Sequence, residues 1–135
     1  MDRVTGIGGI FFKARDPRAL SDWYRRHLGI APAAEGPVTF EWREKDRPER
    51  VGMTIWAPFS QDTKYFAPSV APFMINYRVR DLDALLAELR REGVAVDDRV
   101  DESEFGRFAW VTDLEGNRIE LWEPPNERAG DGETR

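Results

Sequence analysis

The 135-residue sequence contains no cysteine and only one histidine, His27. The lack of cysteine excludes disulfide bonds and thiolate catalysis, and it favours a reducing, cytoplasmic location. His27 stands in YRRHLG at the end of a predicted helix, where a protonated imidazole is favourable, so we expect no metal-binding or catalytic role for it.

A basic stripe and a long apolar run are also missing. The formal net charge is −5, which argues against a nucleic-acid partner. No window approaches the length of a membrane span, so we expect no membrane partner. The N-terminal MDRVTGIGGIFF lacks the cationic start and long apolar stretch of a signal peptide.

Apolar and aromatic residues, by contrast, are plentiful. Apolar types make up 41% of the chain, with five Trp, three Tyr and eight Phe. This content is enough to build a folded core in a chain of one-domain size, and it argues against disorder.

The chain repeats itself at an offset of about 65 residues. KARDPRALSDWYRRHLGI (13–30) and RVRDLDALLAELRREGVAV (78–96) each predict a strand, a cap, a helix and a glycine stop. Asp16 and Asp81 suit the N-cap, and Pro17 suits the first helical position. Gly29 and Gly93 suit the left-handed position that ends a helix.

A second match supports the repeat, because RVGMTIWAP (50–58) is similar to GNRIELWEP (116–124). Each half is therefore predicted to run β-α-β-β-β. The predicted first module covers residues 1–58, and the second covers residues 72–124. Residues 59–71 are predicted to link them, and residues 125–135 to form a flexible tail.

The segments RDPRALSDWYRRHLGI, NYRVRDLDALLAELRREGV and DLEGNRIELWEP resemble the vicinal oxygen chelate superfamily of glyoxalase I, extradiol dioxygenases and bleomycin-resistance proteins. The resemblance implies an α+β fold in which two βαβββ modules form a curled mixed sheet, or cup, with helices on its outer face. It also implies a homodimer. Pairing of the modules within one chain or between chains stays open.

Strand alternation separates a consistent apolar face, assigned to the helices, from a mixed polar and aromatic face, assigned to the cup. Ile55, Ile75 and Leu121 are assigned to the helix side. The cup aromatics could stack on a flat ligand, fill the cup or seal a dimer contact. The candidate ligand-binding residues on the cup face are Phe11, Lys13, Thr54, Trp56, Met74, Asn76, Arg78, Trp110 and Trp122.

The resemblance also implies where a metal would bind, because metal-using members take a ligand from the first and last strand of each module. Those positions fall on Gly9, Thr54, Met74 and Glu120. Gly, Thr and Met are absent or poor ligands for hard divalent ions, so we expect no metal cofactor. A slip of two residues would replace Met74 by Asn76, which still gives no strong site.

Glu120 is then a tentative catalytic residue: a general base or a hydrogen-bond acceptor for a ligand. Alternatively, it is a relic carboxylate that is neutralised by Arg78 or Arg118 or is solvated at the rim of the cup. Between the modules, Tyr65 and Phe66 either fold over the cup as a lid or tuck into the surface, and we favour the second.

Three functions fit these residues. The first is metal-free binding of a small aromatic or apolar molecule in the cup, as in bleomycin-resistance proteins. The second is a glyoxalase- or dioxygenase-like lyase, isomerase or oxygenase acting on a small carbonyl or aromatic substrate, with Glu120 as base or metal ligand. The third is a domain without catalysis that serves dimerisation or regulation.

Overall fold

The computed structural model describes residues 3–32 and 36–125, so most of the predicted tail lies outside the described residues. Within the described residues, neither helix is long and apolar enough to cross a bilayer. The elements in chain order are β1 Val4–Ala14, α1 Pro17–Leu28, β2 Val38–Arg43, β3 Val51–Ser60, β4 Phe73–Val79, α2 Leu82–Arg91, β5 Ala95–Ser103, β6 Gly106–Thr112 and β7 Arg118–Glu123.

The strands form one mixed sheet in the order β2-β3-β1-β4-β7-β6-β5. The two first strands, β1 and β4, pair antiparallel at the centre and join the modules within this chain. Each also pairs in parallel with the last strand of its own module, β1 with β3 and β4 with β7. This arrangement confirms the predicted α+β fold with two related halves.

The halves differ in strand number among the described residues. The second follows the predicted order with β4, α2, β5, β6 and β7. In the first, residues 29–32 and 36–37 between α1 and β2 contain no strand. Pro32 and Pro37 stand in this stretch, and proline cannot donate a backbone hydrogen bond to a neighbouring strand.

Both helices begin as predicted. Asp16 accepts a hydrogen bond from the Ala19 backbone N–H at 3.0 Å, and Asp81 accepts one from Ala84 at 3.1 Å. Helix α1 ends at Gly29, whose φ of 70° is left-handed. After α2, Glu92 is the C-cap and Gly93 takes the left-handed conformation with φ 85°.

The outer core lies between α2 and the second half of the sheet. The helix contributes Leu82, Leu85 and Leu86, all buried. These side chains drive the docking of the helix, since burying a leucine is worth about 2 kcal/mol. The sheet residues packed in this outer core are Val79, Ala109, Val111 and Leu121, with Tyr77 and Ile119 partly buried against them.

A second cluster fills one end of the concave face. Its buried members are Phe11, Phe66, Met74 and Trp110, which we call the cup cluster. Phe11, Met74 and Trp110 come from β1, β4 and β6, so the sheet curls enough for side chains of separate strands to meet. Ile55, Ala57, Phe59 and Phe108 pack against the cup cluster.

The prediction that Ile55 faces the helices and Trp56 the cup is wrong. Ile55 packs on the cup cluster. The Trp56 ring contacts the rings of Phe12 on β1 and Tyr24 on α1, with centroids 5.2 and 4.9 Å away. The prediction placed Thr54 and Trp56 on the same face by strict alternation along the strand. The face of each β3 residue is instead set by the packing of the strand against its neighbours.

Candidate functional site

A row of side-chain positions crosses the concave face at the middle of the sheet. Registers between neighbouring strands place Gly9 opposite both Ile55 and Asn76. Asn76 in turn lies opposite Glu120, and Glu120 opposite Trp110. The polar end of this row, formed by Asn76, Glu120 and Trp110, is the candidate functional site.

Glu120 is buried, with 2% of its surface exposed, and its carboxylate accepts hydrogen bonds from three side chains. The Asn76 Nδ2 donates to Oε1 at 2.6 Å. Oε2 accepts from the Trp110 indole Nε1 at 3.1 Å and from the Tyr65 hydroxyl. We call Glu120, Asn76, Trp110 and Tyr65 the Glu120 centre.

Burial raises the pKa of the Glu120 carboxyl group above its usual value. The hydrogen bonds from Tyr65, Asn76 and Trp110 oppose this shift, as does the nearby charge of Arg118, but they do not cancel it. The pKa of Tyr65 is raised as well, by burial first and then by the charge of Glu120. Tyr65 is therefore a hydrogen-bond donor at neutral pH, and Glu120 holds its proton more readily than an exposed glutamate does.

Tyr65 comes from residues 61–72, which we call the bridging segment, between β3 and β4. Its neighbour Phe66 is fully buried in the cup cluster, while 37% of Tyr65 remains exposed. A groove of about 410 Å³ opens beside the Tyr65 ring, bounded by Phe108 and Trp110. A further wall is formed by Val100, Asp101, Glu102 and Ser103 of β5, the strand that pairs with β6.

The other end of the concave face is occupied by a cation between two indole rings. The Arg78 guanidinium lies 5.5 Å from the Trp42 ring centroid and 5.9 Å from that of Trp122. The Trp42 ring rests on the backbone of Gly6 and Gly52, where any Cβ would collide with it. This end is closed by protein side chains rather than open to a ligand.

The remaining predicted cup residues are distributed between these two ends. Phe11 and Met74 are buried in the cup cluster, and the Lys13 ammonium lies 5.7 Å from the Phe66 ring centroid. Thr54 is engaged within the sheet: its hydroxyl accepts from Trp42 Nε1 at 2.8 Å and donates to the Ile7 carbonyl.

Trp56 lies apart from the site, on the outer surface. There it borders a groove of about 530 Å³ between α1 and the edge of the sheet. The prediction that it binds a cup ligand is therefore not supported by its position, although its repeat partner Trp122 does face the cup.

The row that crosses the sheet does not offer the donor set of a metal site. Its positions beside Glu120 are Asn76, Gly9 and Ile55, in place of the predicted Met74, Gly9 and Thr54. Counting along single strands could not fix the register between them. Only Glu120 and Asn76 carry ligand atoms: the Asn76 amide N–H donates to the carboxylate, and its Oδ1, which is buried with no hydrogen-bond partner among the described residues, adds one oxygen. Divalent ions need more oxygen or nitrogen donors than this.

Within the part of the chain that the structure describes, no larger acidic or histidine cluster provides the missing donors. Among residues 3–32 and 36–125, no three His, Cys, Asp or Glu side chains are placed to hold a metal ion. His27 is exposed on α1 and contacts the Trp23 ring, with centroids 4.9 Å apart. The donor chemistry of this site therefore disagrees with the metal that the resemblance implies.

Two residues of the concave face were not predicted from the sequence. Trp42 lies on β2 and closes the Arg78 end; the glycines at positions 6 and 52 were a possible signal, since they leave room for a large ring. Phe59 was assigned to the linker but belongs to β3, where it stacks on Tyr65.

Comparisons with known proteins agree with this architecture. A family model described as "Glyoxalase-like domain" matches residues 9–122. A sequence search of curated proteins finds no match.

Two solved methylmalonyl-CoA epimerases are similar in fold. The Streptomyces coelicolor enzyme, in a variant bound to 2-nitronate-propionyl-CoA, has a TM-score of 0.67 and 21% identity, covering 90% of this chain and 99% of that chain. The Mycobacterium tuberculosis enzyme has a TM-score of 0.62 and 23% identity, covering 96% and 95%.

A protein described as an NAD-dependent benzaldehyde dehydrogenase from Legionella pneumophila also aligns, with a TM-score of 0.55 and 13% identity over 86% of this chain and 97% of that chain. At these identities the similarity to solved structures establishes the fold alone. Together with the family match over residues 9–122, the two-module sheet shows that this chain belongs to the glyoxalase-like domain family, within the vicinal oxygen chelate superfamily.

Proposed function

We propose that the chain binds a small organic molecule with an aromatic or apolar body in the groove beside Tyr65, Phe108 and Trp110, without a metal ion. The observation that carries this proposal is the buried Glu120 carboxylate, which is held by neutral donors, two of them on the groove-lining residues Tyr65 and Trp110. A buried acceptor next to an aromatic groove is typical of a ligand site, because it fixes the orientation of a mostly apolar molecule.

The donor chemistry of the row supports the absence of a metal. Ile55 and Gly9 provide no ligand atoms, and Glu120 is already hydrogen-bonded by three side chains. These bonds stabilise the carboxylate inside the protein, which is the role that an ion would otherwise have. The Glu120 carboxylate therefore has hydrogen-bond partners on both oxygens without a cation.

The surroundings of the groove favour a ligand that offers hydrogen-bond donors or positive charge. Asp101 and Glu102 lie on the β5 wall, and the Glu120 carboxylate is bonded to Tyr65 and Trp110, which also line the groove. Arg99 partly neutralises this wall, since its Nε donates to Asp101 at 2.8 Å. An uncharged or cationic aromatic molecule matches these acceptors better than an anionic one does.

Binding is tested by thermal unfolding of the metal-stripped protein against a panel of neutral and cationic aromatic compounds. We expect at least one compound to raise the melting temperature, since a ligand that binds only the folded state stabilises it. Trp110→Phe should reduce that shift, while the matched variant Trp56→Phe, on the outer face, should retain it. Shifts that appear only after adding Zn²⁺, Ni²⁺ or Mn²⁺ would contradict metal-free binding, and no shift at all would contradict the binding proposal.

A second candidate function is proton transfer at a carbon next to a carbonyl group. The observation that favours it is the burial of Glu120, which is 2% exposed, since burial raises the pKa of its carboxyl group and a general base works best when its pKa is close to the working pH. In this reaction the carboxylate takes the C–H proton and the C–H electron pair forms an enolate. The carboxyl group then exchanges its proton with solvent and protonates the carbon again.

This candidate is tested by proton NMR of a 2-methylmalonyl thioester in D₂O, because methylmalonyl-CoA epimerases share the fold. We expect the protein to accelerate exchange of the C–H proton, and Glu120→Gln to lower that rate by about 10²–10⁴-fold. An equal rate in both proteins would rule out Glu120 as the base.

A further inference from the structure

Tyr65 occupies the place through which a groove ligand would reach Glu120. Its ring stacks on Phe59, with centroids 5.8 Å apart and planes 16° from parallel. On another side it meets the edge of Trp110 at 6.3 Å and 90°. The Tyr65 hydroxyl then donates to the same carboxylate oxygen that accepts from Trp110. The slot between Phe59 and Trp110 thus fits a flat six-membered ring that carries a donor.

Within the Glu120 centre, Tyr65 is the residue best placed to leave. Asn76 and Trp110 belong to β4 and β6 and are almost completely buried. Tyr65 belongs to the bridging segment, which is built from turns such as Thr63 N–H to Ser60 O at 3.0 Å. Since Phe66 anchors this segment in the cup cluster, the exposed Tyr65 side chain can turn outward while the segment stays attached.

We propose that Tyr65 determines ligand specificity, because its phenol occupies the place that the ligand takes on Glu120; we call this its stand-in role. The expected ligand is an aromatic ring bearing a hydroxyl or N–H donor, which replaces the Tyr65 hydroxyl on Glu120. This inference rests on the proposed binding function of the cup. A ring without a donor would leave the buried carboxylate with one hydrogen bond fewer, and such loss is costly for a charged group.

The adjoining groove gives the rest of such a ligand a place to bind. Phe108 and Val100 offer apolar contact next to the slot, and the groove volume of about 410 Å³ is within the range of small-molecule sites. The groove is open while Tyr65 sits on Glu120, so a ligand can first contact its walls and then exchange with the phenol.

The test uses indole, which has an N–H donor, and 1-methylindole, which lacks it, titrated calorimetrically into the wild-type protein and Tyr65→Phe. The variant keeps the ring but removes the competing hydroxyl. We expect Tyr65→Phe to bind indole about tenfold more tightly, because the intramolecular hydrogen bond no longer reduces the open population. In both proteins indole should bind about tenfold or more tightly than 1-methylindole. Tyr77→Phe, the same chemical change in the outer core, should leave indole binding unchanged.

The possible outcomes separate this inference from the proposed function. If both probes bind equally well, or if Tyr65→Phe binds indole as the wild-type protein does, the stand-in role of Tyr65 is overturned while the cup remains a ligand site. If neither probe binds either protein, the ligand class inferred from Tyr65 is overturned as well, whereas the proposed function is contradicted only if the thermal-unfolding panel also gives no shift.

Discussion

The two modules contain the same strand, cap, helix and glycine pattern, yet they bury very different amounts of their helices. Helix α2 buries Leu82, Leu85 and Leu86 against the outer core. Helix α1 has no buried residue, and its Leu28 is 61% exposed. Helical spacing of apolar residues therefore determines that a helix forms, while the sheet beneath determines how much of it is covered.

The start of each helix shows a related difference. The Leu82 backbone N–H donates to the Glu123 carboxylate at 2.8 Å, which ties α2 to the end of β7. At the matching position α1 has Pro17, which has no N–H, and the repeat partner of Glu123 is Ala57. The start of α2 thus has both a backbone N–H donor and a carboxylate acceptor, whereas the start of α1 has neither.

The largest expected effect tests the packing difference at matched repeat positions. Leu85→Ala should lower the free energy of unfolding by about 2–5 kcal/mol, because it leaves a cavity in the outer core. Leu20→Ala, its partner on α1, should cost about 1 kcal/mol, since that side chain is only partly buried. Urea denaturation measures both, and equal losses would show that α1 is covered as well as α2.

A smaller effect concerns the link between β7 and α2. Glu123→Ala should cost about 1–3 kcal/mol, because it removes the acceptor of the buried Leu82 N–H. Glu123→Gln keeps a carbonyl oxygen at the same place and should cost less. Denaturant unfolding compares the two, and an equal loss would mean that the negative charge, rather than the hydrogen bond, ties the helix to the sheet.

The smallest effect is a pH dependence specific to the second module. The usual pKa of a glutamate is 4.5, and burial raises that of Glu120 in the folded protein. The folded state therefore binds this proton more tightly than the unfolded chain, so the contribution of Glu120 to stability falls as pH rises above 4.5 and through its folded pKa.

The measurement is the difference in free energy of unfolding between the wild-type protein and Glu120→Gln, taken between about pH 4 and pH 8. Acids whose pKa is lowered, such as Asp22 and Asp101, act in the opposite direction in both proteins and cancel in the difference. The difference should decline with rising pH. A difference that grows would mean that hydrogen bonds, rather than burial, dominate the pKa of Glu120.

Much of the fold was predictable because its signals are local. The caps Asp16 and Asp81 and the left-handed glycines Gly29 and Gly93 follow from interactions within a few residues. Alternation also placed Trp110 correctly on the cup face. Local chemistry fixes these features before any distant strand is involved.

The site was less predictable because it depends on contacts between separate strands. Sequence counting set Met74 beside Glu120, whereas the parallel register of β4 and β7 places Asn76 there. The face of Trp56 and the presence of Trp42 over the concave side were likewise decided by strand partners. A repeat offset cannot specify such registers, since a shift of one residue turns a side chain to the other face.

Glu120 shows which features the sequence determines and which depend on the tertiary structure. The sequence by itself determined an α+β chain of two related modules, with one carboxylate among positions that otherwise carry Gly, Thr and Met. Only the tertiary structure decided what surrounds that carboxylate, because Tyr65 and Asn76 lie 55 and 44 residues away from it along the chain. Local patterns select helices and strands, whereas the pKa and partners of a buried acid follow from the folding of the whole sheet.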